Sequence, residues 1–347
     1  MDYTPISEVG EFGLIDRLHT VLGRPDDGDL LAGIADDAAV YRVAEGRVHV
    51  VTTDALIEAV HFDRAFMPME YLGFKALSVN VSDVLAMNAL PRYATIALGL
   101  PNNVSVEMVE ALYRGFKNAA EAYQMTVVGG DTTAARFMTI VVTVIGEAAE
   151  ADVVYRGGAQ PGDALCVTGD LGAAYAGLKV MLDERKAMQR HRRDGEPFEP
   201  DLEGYQYVVQ RQLAPLARFD AVRDWAARGV RPHALIDVSD GLASEVHHLA
   251  QQSGCGALLH GPALPIALET RRVADRFAED VDTYALFGGE DYELLFALPE
   301  GELEKLDPDS FTVVGHMAQP GDDVEIQLPE GETIPLRAGG FQHFGGE

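Results

Sequence analysis

The sequence predicts a mixed α+β protein of the α/β class, organised as two domains. Three observations predict it. The chain has 347 residues, enough for about two domains that each bury a core. Strand-like and helix-like patterns alternate in both halves, the arrangement that packs helices onto sheets. Two phrases also recur in the same order: VNVSDVLAMN at 79–88 is echoed by IDVSDGLASE at 236–245, and VVGGDTT at 127–133 by LFGGEDYEL at 286–294. The echo suggests two halves built alike, each placing carboxylates at strand ends or tight turns.

Taken in order, a first helix is expected over 8–22, followed by an acid-loaded turn, GIADDAAV, at 33–40. The β-branched run VHVVTT at 48–53 predicts a strand that ends on Asp54. Helical spacing over 72–86 is interrupted around 80–83, and 93–100 returns to strand. Ser105 caps the next helix, with Glu107 in its first turn where the dipole favours an acid. Its apolar positions, among them Val109, Leu112, Phe116, Ala120 and Tyr123, repeat near every 3.6 residues and mark a core-facing stripe. Strands are expected at 126–128 and 138–145, with a Gly-Gly-Asp turn between them. The turn cluster RGGAQPGD at 156–163 marks the boundary region, and the domains are drawn as 1–148 and 149–347. A strand at 164–168 and a helix at 172–182 follow. The charged segment 183–203, with Pro197, Pro200 and a basic run at 190–193, reads as a solvated insertion. Helices within 208–228, a strand-to-helix unit at 236, a strand near 257, the segment 286–298 and a strand at 312–315 complete the chain.

Composition narrows the chemistry. Against 27 Lys and Arg stand 55 Asp and Glu, a formal net charge of −28, so the basic face of a nucleic-acid binder is absent. Any bound phosphate must be met by something other than surface Lys and Arg. Two cysteines exclude a disulfide framework and a CxxC zinc site. The first residues lack the apolar core of a secretory signal, and no apolar run approaches the roughly 20 residues that span a bilayer, so a cytoplasmic protein with no membrane partner is expected. GxxxxGK[ST], HRD, DFG and GxGxxG are all missing.

The acids suggest what meets the phosphate. Asp37, Asp54, Asp83, Asp131, Asp237, Asp240 and Glu290 fall at expected strand ends or turns. Singly, each reads as an N-cap or turn residue. Six Asp with Thr52, Thr53 and Ser239 nearby make a set of hard oxygen donors, the type Mg²⁺ takes. If they converge they repel one another without cations, and several Mg²⁺ ions holding a polyphosphate resolve both the repulsion and the lack of basic residues. Gly129, Gly130, Gly288 and Gly289 permit close backbone approach, although a bare Gly-Gly-acid is equally a plain turn. Ser239 within DVSDG resembles a nucleophile elbow, but Asp237 stands where that turn needs Gly, so a serine hydrolase is disfavoured.

Together these motifs resemble the thiamine-monophosphate kinase family, within the superfamily of aminoimidazole ribonucleotide synthetase and selenophosphate synthetase. The resemblance runs nearly end to end, through GEFGLI, GIADDAAV, TTDALIEAVHFD, KALSVNVSDVLAMNALP, VVGGDTT, RGGAQPGD, IDVSDGLASE, GGEDYELLF and GFQHF. It implies a two-domain synthetase-like fold whose N-terminal half-barrel pairs with a second copy in a homodimer, the C-terminal domain completing the phosphate and substrate site. It implies Mg²⁺ ions at Asp37, Thr52, Thr53, Asp54, Asp83, Asp131, Asp237 and Asp240, with Asp83, Asp131 and Asp240 in the catalytic role. ATP contacts are implied at Gly130, Arg156, Ser239 and Tyr113, and thiamine monophosphate contacts at His61, Glu290 and Phe341. An aromatic face and a carboxylate suit a cationic thiazolium with an aminopyrimidine. For His61 and Phe341 the packing reading stays open, since a lone His or a C-terminal Phe is more often packing. Ala35 stands where the family's first acidic turn has Gly, so that loop must accept a Cβ. The alternative within the superfamily is an ATP-dependent phosphotransferase or synthetase for another small molecule; a silent Mg²⁺-nucleotide sensor is a further class.

Overall fold

The computed structural model describes residues 4–23, 27–34, 36–194 and 199–339; Ala35 and Phe341, with the rest of GFQHF, lie outside them. After α1 (Gly10–Leu22), the chain lays down β1 (Leu30–Ala32), β2 (Ala39–Ala44) and β3 (Arg47–Ile57), then α2 (Met69–Ala86), β4 (Leu90–Leu100), α3 (Val106–Ala122), β5 (Thr126–Ala134) and β6 (Thr139–Ala149). The strands form one six-stranded sheet in the order β1-β2-β3-β6-β4-β5. Among the described residues its one parallel strand pair, β4 with β5, is the pair joined by a helical crossover, α3. Along β6 burial alternates residue by residue, the period of a sheet with one face on a core. Ser105 caps α3, its side chain accepting the Met108 N–H at 3.3 Å.

The second half runs β7 (Ala164–Thr168), α4 (Ala173–Asp194), α5 (Gln206–Leu213), α6 (Phe219–Arg228), β8 (Ala234–Val238), α7 (Leu242–Ser253), β9 (Ala257–His260), α8 (Leu268–Phe277), α9 (Asp282–Phe287), β10 (Glu293–Leu298), β11 (Phe311–Met317), β12 (Val324–Gln327) and β13 (Thr333–Pro335). These strands make a seven-stranded, mostly antiparallel sheet, β13-β12-β9-β11-β7-β10-β8. Strands β7 and β10 and the edge strand β8 are buried at every position, so both faces are covered there. One face, through Cys166, Leu235 and Phe296, shares a core with α2. The other, through Leu165, Ile236 and Leu295, packs with α7.

Four local expectations are corrected. The two V-S-D phrases are not structural repeats: residues 81–83 lie inside an unbroken α2, whereas Val238 ends β8 and Ser239 and Asp240 form the bend before α7. The reason is burial, since α2 is wrapped on nearly all sides and needs no amphipathic stripe to be a helix. Similarly, Gly129, Gly130 and Asp131 lie within β5 rather than in a turn, and Asp54 lies inside β3 rather than at its end. Finally, the charged stretch after residue 182 begins as a continuation of α4. Ion pairs replace the missing apolar stripe: Arg276 to Asp183 at 2.7 Å and Arg185 to Asp63 at 2.6 Å.

Candidate active site

Both halves supply carboxylates to one place. Asp37 comes from the turn before β2, Asp83 from α2, and Asp237 from β8. One oxygen from each lies within 4.8 Å of the others. Hydroxyls next to them fix the rotamers: Thr52 donates to Asp83 Oδ2 at 2.7 Å and Ser82 to Asp237 Oδ2 at 2.6 Å. The Ser82 bond ties the helix of the first half to the sheet of the second. Asp54 borders the cluster, its charge helping to raise the Asp83 carboxyl and its backbone N–H donating to Asn80 Oδ1 at 3.0 Å.

Electrostatics make this arrangement costly. Burial pushes the Asp237 carboxyl up to about 8, with Asp37 adding to the rise. Burial, then Asp54, Asp237 and Asp37, hold Asp83 well above the usual carboxylate range. Asp36, next door, is pushed up to about 6 by burial and by Asp37. Arg156 answers part of this charge by donating to Asp37 Oδ1 at 2.5 Å. Among the described residues, two buried atoms are left without a partner there, Asp37 Oδ2 and Arg156 Nε. A buried orphan acceptor beside a buried orphan donor points to a cation and an anion bound together. The all-oxygen donors and the excess of acid fit Mg²⁺, and Asp37, Asp83 and Asp237 would hold it.

Other sequence candidates fall in three places. Thr53 lies on the opposite face of β3 from Thr52 and donates to Val142 O at 3.1 Å, so its hydroxyl is not brought to the cluster. Asp240 follows Ser239 at the end of β8; its N–H donates to the buried Glu245 at 2.9 Å. Gly130 and Asp131 on β5 share a groove of about 520 Å³ with Tyr113 of α3. Among the described residues, the group able to share a single ion comprises Asp37, Asp83 and Asp237, and Asp131 is outside it. Gly130 is there because a Cβ would meet Ile96 O at 1.8 Å.

A third patch faces His61 and Glu290. His61 Nδ1 accepts the Ile57 N–H at 3.0 Å, which puts the proton of the neutral ring on Nε2. Glu290 lies within electrostatic reach of His61. Burial works to raise the Glu290 carboxyl, but the Lys75 ammonium and the Gln212 amide outweigh it, and it stays below the usual range. The loop that presents it is strained: Gly289, Glu290 and Tyr292 all have positive φ, at 69°, 59° and 53°. Left-handed backbone at two non-glycine residues costs on the order of 1–3 kcal/mol each and is held by its surroundings. Glu290 N–H donates to Ser239 O at 2.7 Å and Tyr292 N–H to Val238 O at 2.9 Å. Asp291 accepts from Gly172 N at 2.6 Å and Ala174 N at 3.2 Å, anchoring the loop to the start of α4.

Sequence reading missed Lys75, Asn80 and Ser82 of α2, and Glu245 and Tyr292. For the α2 residues the available signal was the polar residue inside an otherwise apolar run, since burying it requires a partner.

Comparison with known proteins agrees with this layout. The family models for the AIR synthase related protein match the chain twice, the N-terminal domain over residues 35–148 and the C-terminal domain over 160–317. Thiamine-monophosphate kinase of Aquifex aeolicus is 37% identical over 340 residues, covering 98% of this chain and 99% of that protein. The Bacillus subtilis thiamine-monophosphate kinase is 31% identical over 337 residues, covering 95% and 98%. Among solved structures, AaThiL complexed with AMPPCP and TMP superposes with a TM-score of 0.83 at 35% identity, covering 99% of this chain and 100% of that one. With its acid cluster shared between two AIR synthase related domains, the chain belongs to the thiamine-monophosphate kinase family.

Proposed function

We propose that this chain transfers the γ-phosphoryl group of ATP to the phosphate of thiamine monophosphate, giving thiamine diphosphate and ADP. The full-length relatives support the reaction, and the cluster of Asp37, Asp83 and Asp237 is the observation that carries the chemistry. Mg²⁺ bound there supplies charge neutralisation and coordination for phosphate oxygens. The wider metal-holding set is Asp37, Thr52, Asp54, Asp83, Asp131, Asp237 and Asp240; Thr53, whose hydroxyl is turned to Val142, contributes no side-chain oxygen to it. Gly130, Arg156, Ser239 and Tyr113 take the nucleotide side, and His61, Glu290 and Phe341 the thiamine side. Domains 1–148 and 149–347 close on the phosphates from either side, and two copies pair through their N-terminal sheets into one barrel.

The attacking group is a phosphate oxygen, already ionised near neutral pH, so the chain needs no strong general base. Its task is to bring two anions together in line. Arg156, with a buried Nε still to be satisfied, suits a phosphate oxygen. Buried walls around Asp237 and Asp83 keep water from screening the charges that drive alignment. The Asp residues hold and orient; they do not shuttle protons.

The test is to incubate the protein with ATP and thiamine monophosphate, with and without Mg²⁺, and to separate the products by chromatography. Stoichiometric, Mg²⁺-dependent thiamine diphosphate and ADP are expected, and Asp83→Asn should reduce the rate on the order of 10²-fold or more with the fold retained. ADP without thiamine diphosphate would move the assignment to another acceptor, and a parent rate in Asp83→Asn would remove the metal role.

A further inference from the structure

Lys75 is a buried cation that the phosphoryl transfer above does not use. It projects from α2 with only 1% of its surface exposed. Its Nζ lies 3.0 Å from Glu290 Oε1 and donates to the Gln212 carbonyl at 3.1 Å. Gln212 Nε2, from α5, donates to Glu290 Oε2 at 2.7 Å. Three separate elements, α2, α5 and the strained loop before β10, thus converge on one carboxylate.

The burial is lopsided. The Lys75 side chain is 1% exposed, whereas that of Glu290 is 32% exposed. A pair that served only the interior would bury both charges, since an interior pair gains from excluding water on all sides. Here the cation lies underneath and the carboxylate is presented outward. Each carboxylate oxygen can accept about two hydrogen bonds, and each has one donor from below. Acceptor capacity remains on the open side, in a fixed orientation, for a ligand carrying N–H donors.

We propose that Lys75, with Gln212, is a specificity-determining positioning residue that fixes the orientation of Glu290 and balances its charge, so that the pocket selects a ring bearing an amine donor. Lys75 acts through Glu290 and touches no reacting atom. The inference rests on the reading that Glu290 faces the thiamine side. A ring amine gains a pre-aimed acceptor, whereas a carbonyl oxygen in the same position meets the carboxylate's lone pairs and is rejected.

The experiment measures calorimetric binding of thiamine monophosphate without ATP, and of its analogue with the pyrimidine amine replaced by a carbonyl oxygen, to the parent, Lys75→Met and Gln212→Met. The KM for ATP is measured alongside. Both variants should bind thiamine monophosphate about tenfold or more weakly, the loss expected for a hydrogen bond to a charged group, and should narrow the preference for the amine. The KM for ATP should stay within about twofold, because the nucleotide contacts are elsewhere. Should Lys75→Met fail to fold, Gln212→Met decides the matter alone, since it leaves every buried charge paired. Unchanged affinity and preference in Gln212→Met would overturn the inference while leaving the phosphotransferase assignment in place. A parent protein that makes thiamine diphosphate yet shows no preference for the amine would also overturn it. A parent that binds no thiamine monophosphate would overturn both the reading of this cleft and the inference built on it.

Discussion

At the residue scale, Asp237 carries the sharpest electrostatic consequence. Its carboxyl is pushed from 3.8 up to about 8 in the folded protein, chiefly by burial. Between those values the folded state keeps a proton that the unfolded chain has released. Stability of the metal-free protein therefore falls as pH rises from about 4 to about 8. Asp83 is raised for the same reason and adds to the slope in the same direction. A cation bound by the ionised acids takes over the proton's role, so added Mg²⁺ should raise the melting temperature more at about pH 8.5 than at about pH 5.5. Asp237→Asn should flatten the metal-free pH slope and diminish the Mg²⁺ response. Thermal unfolding across pH, with and without Mg²⁺, checks this, and a parent protein that grows more stable from pH 5 to 8 without metal would contradict it. These acids were legible in the sequence because hard oxygen donors have one common chemistry. Lys75 and Ser82 were not, because a polar residue in an apolar run names no partner until the fold supplies Glu290 and Asp237.

At the element scale, the misreading of α2 comes from burial. Pattern reading relies on one face being wet, and α2 is wrapped on nearly all sides, whereas the equally buried β7 was legible at 164–168 as a short apolar run. The helix at 106–122 was legible because its exposed side is polar. Helix α4 poses the opposite problem, a polar stretch that is ordered by partners far away in sequence. Arg185 on α4 pairs with Asp63 at 2.6 Å, and its guanidinium lies over the Phe66 ring at 5.7 Å. Asp63 follows His61 closely and also accepts the Ala65 N–H at 2.8 Å. The charged half of α4 thereby reaches across to the loop that carries His61. Cutting that tie with Arg185→Ala should speed hydrogen exchange in residues 58–67 and raise the KM for thiamine monophosphate severalfold. Global stability should change by no more than about 1 kcal/mol, the worth of a partly exposed pair. Equal exchange in the loop of variant and parent would show that the tie does not hold it.

At the scale of the whole molecule, two domains and a shared acid site could be read from the chain, but how copies meet could not. Among the described residues the sheet order leaves β5 at an edge, paired to β4 alone. Its residues are nearly all exposed, Val128 at 56%, and Tyr93 on the neighbouring strand is 48% exposed. An open edge with exposed apolar residues is a surface that proteins normally cover. The same strand carries Gly130 and Asp131, so whatever covers the edge also lines the groove these residues share with Tyr113, proposed above to take the nucleotide. A second copy satisfies both conditions, because a two-fold interface lets one strand edge meet its own equivalent. Val128→Lys places a charge where that pairing would bury it. By sedimentation equilibrium the parent should weigh two chains and the variant one, and the variant should lose ATP affinity by about tenfold or more as its groove loses a wall. Calorimetric ATP binding measured beside the sedimentation separates the possibilities. A monomeric variant with parental ATP affinity would confine each nucleotide site to one chain, and a monomeric parent would leave the β5 edge to a different partner.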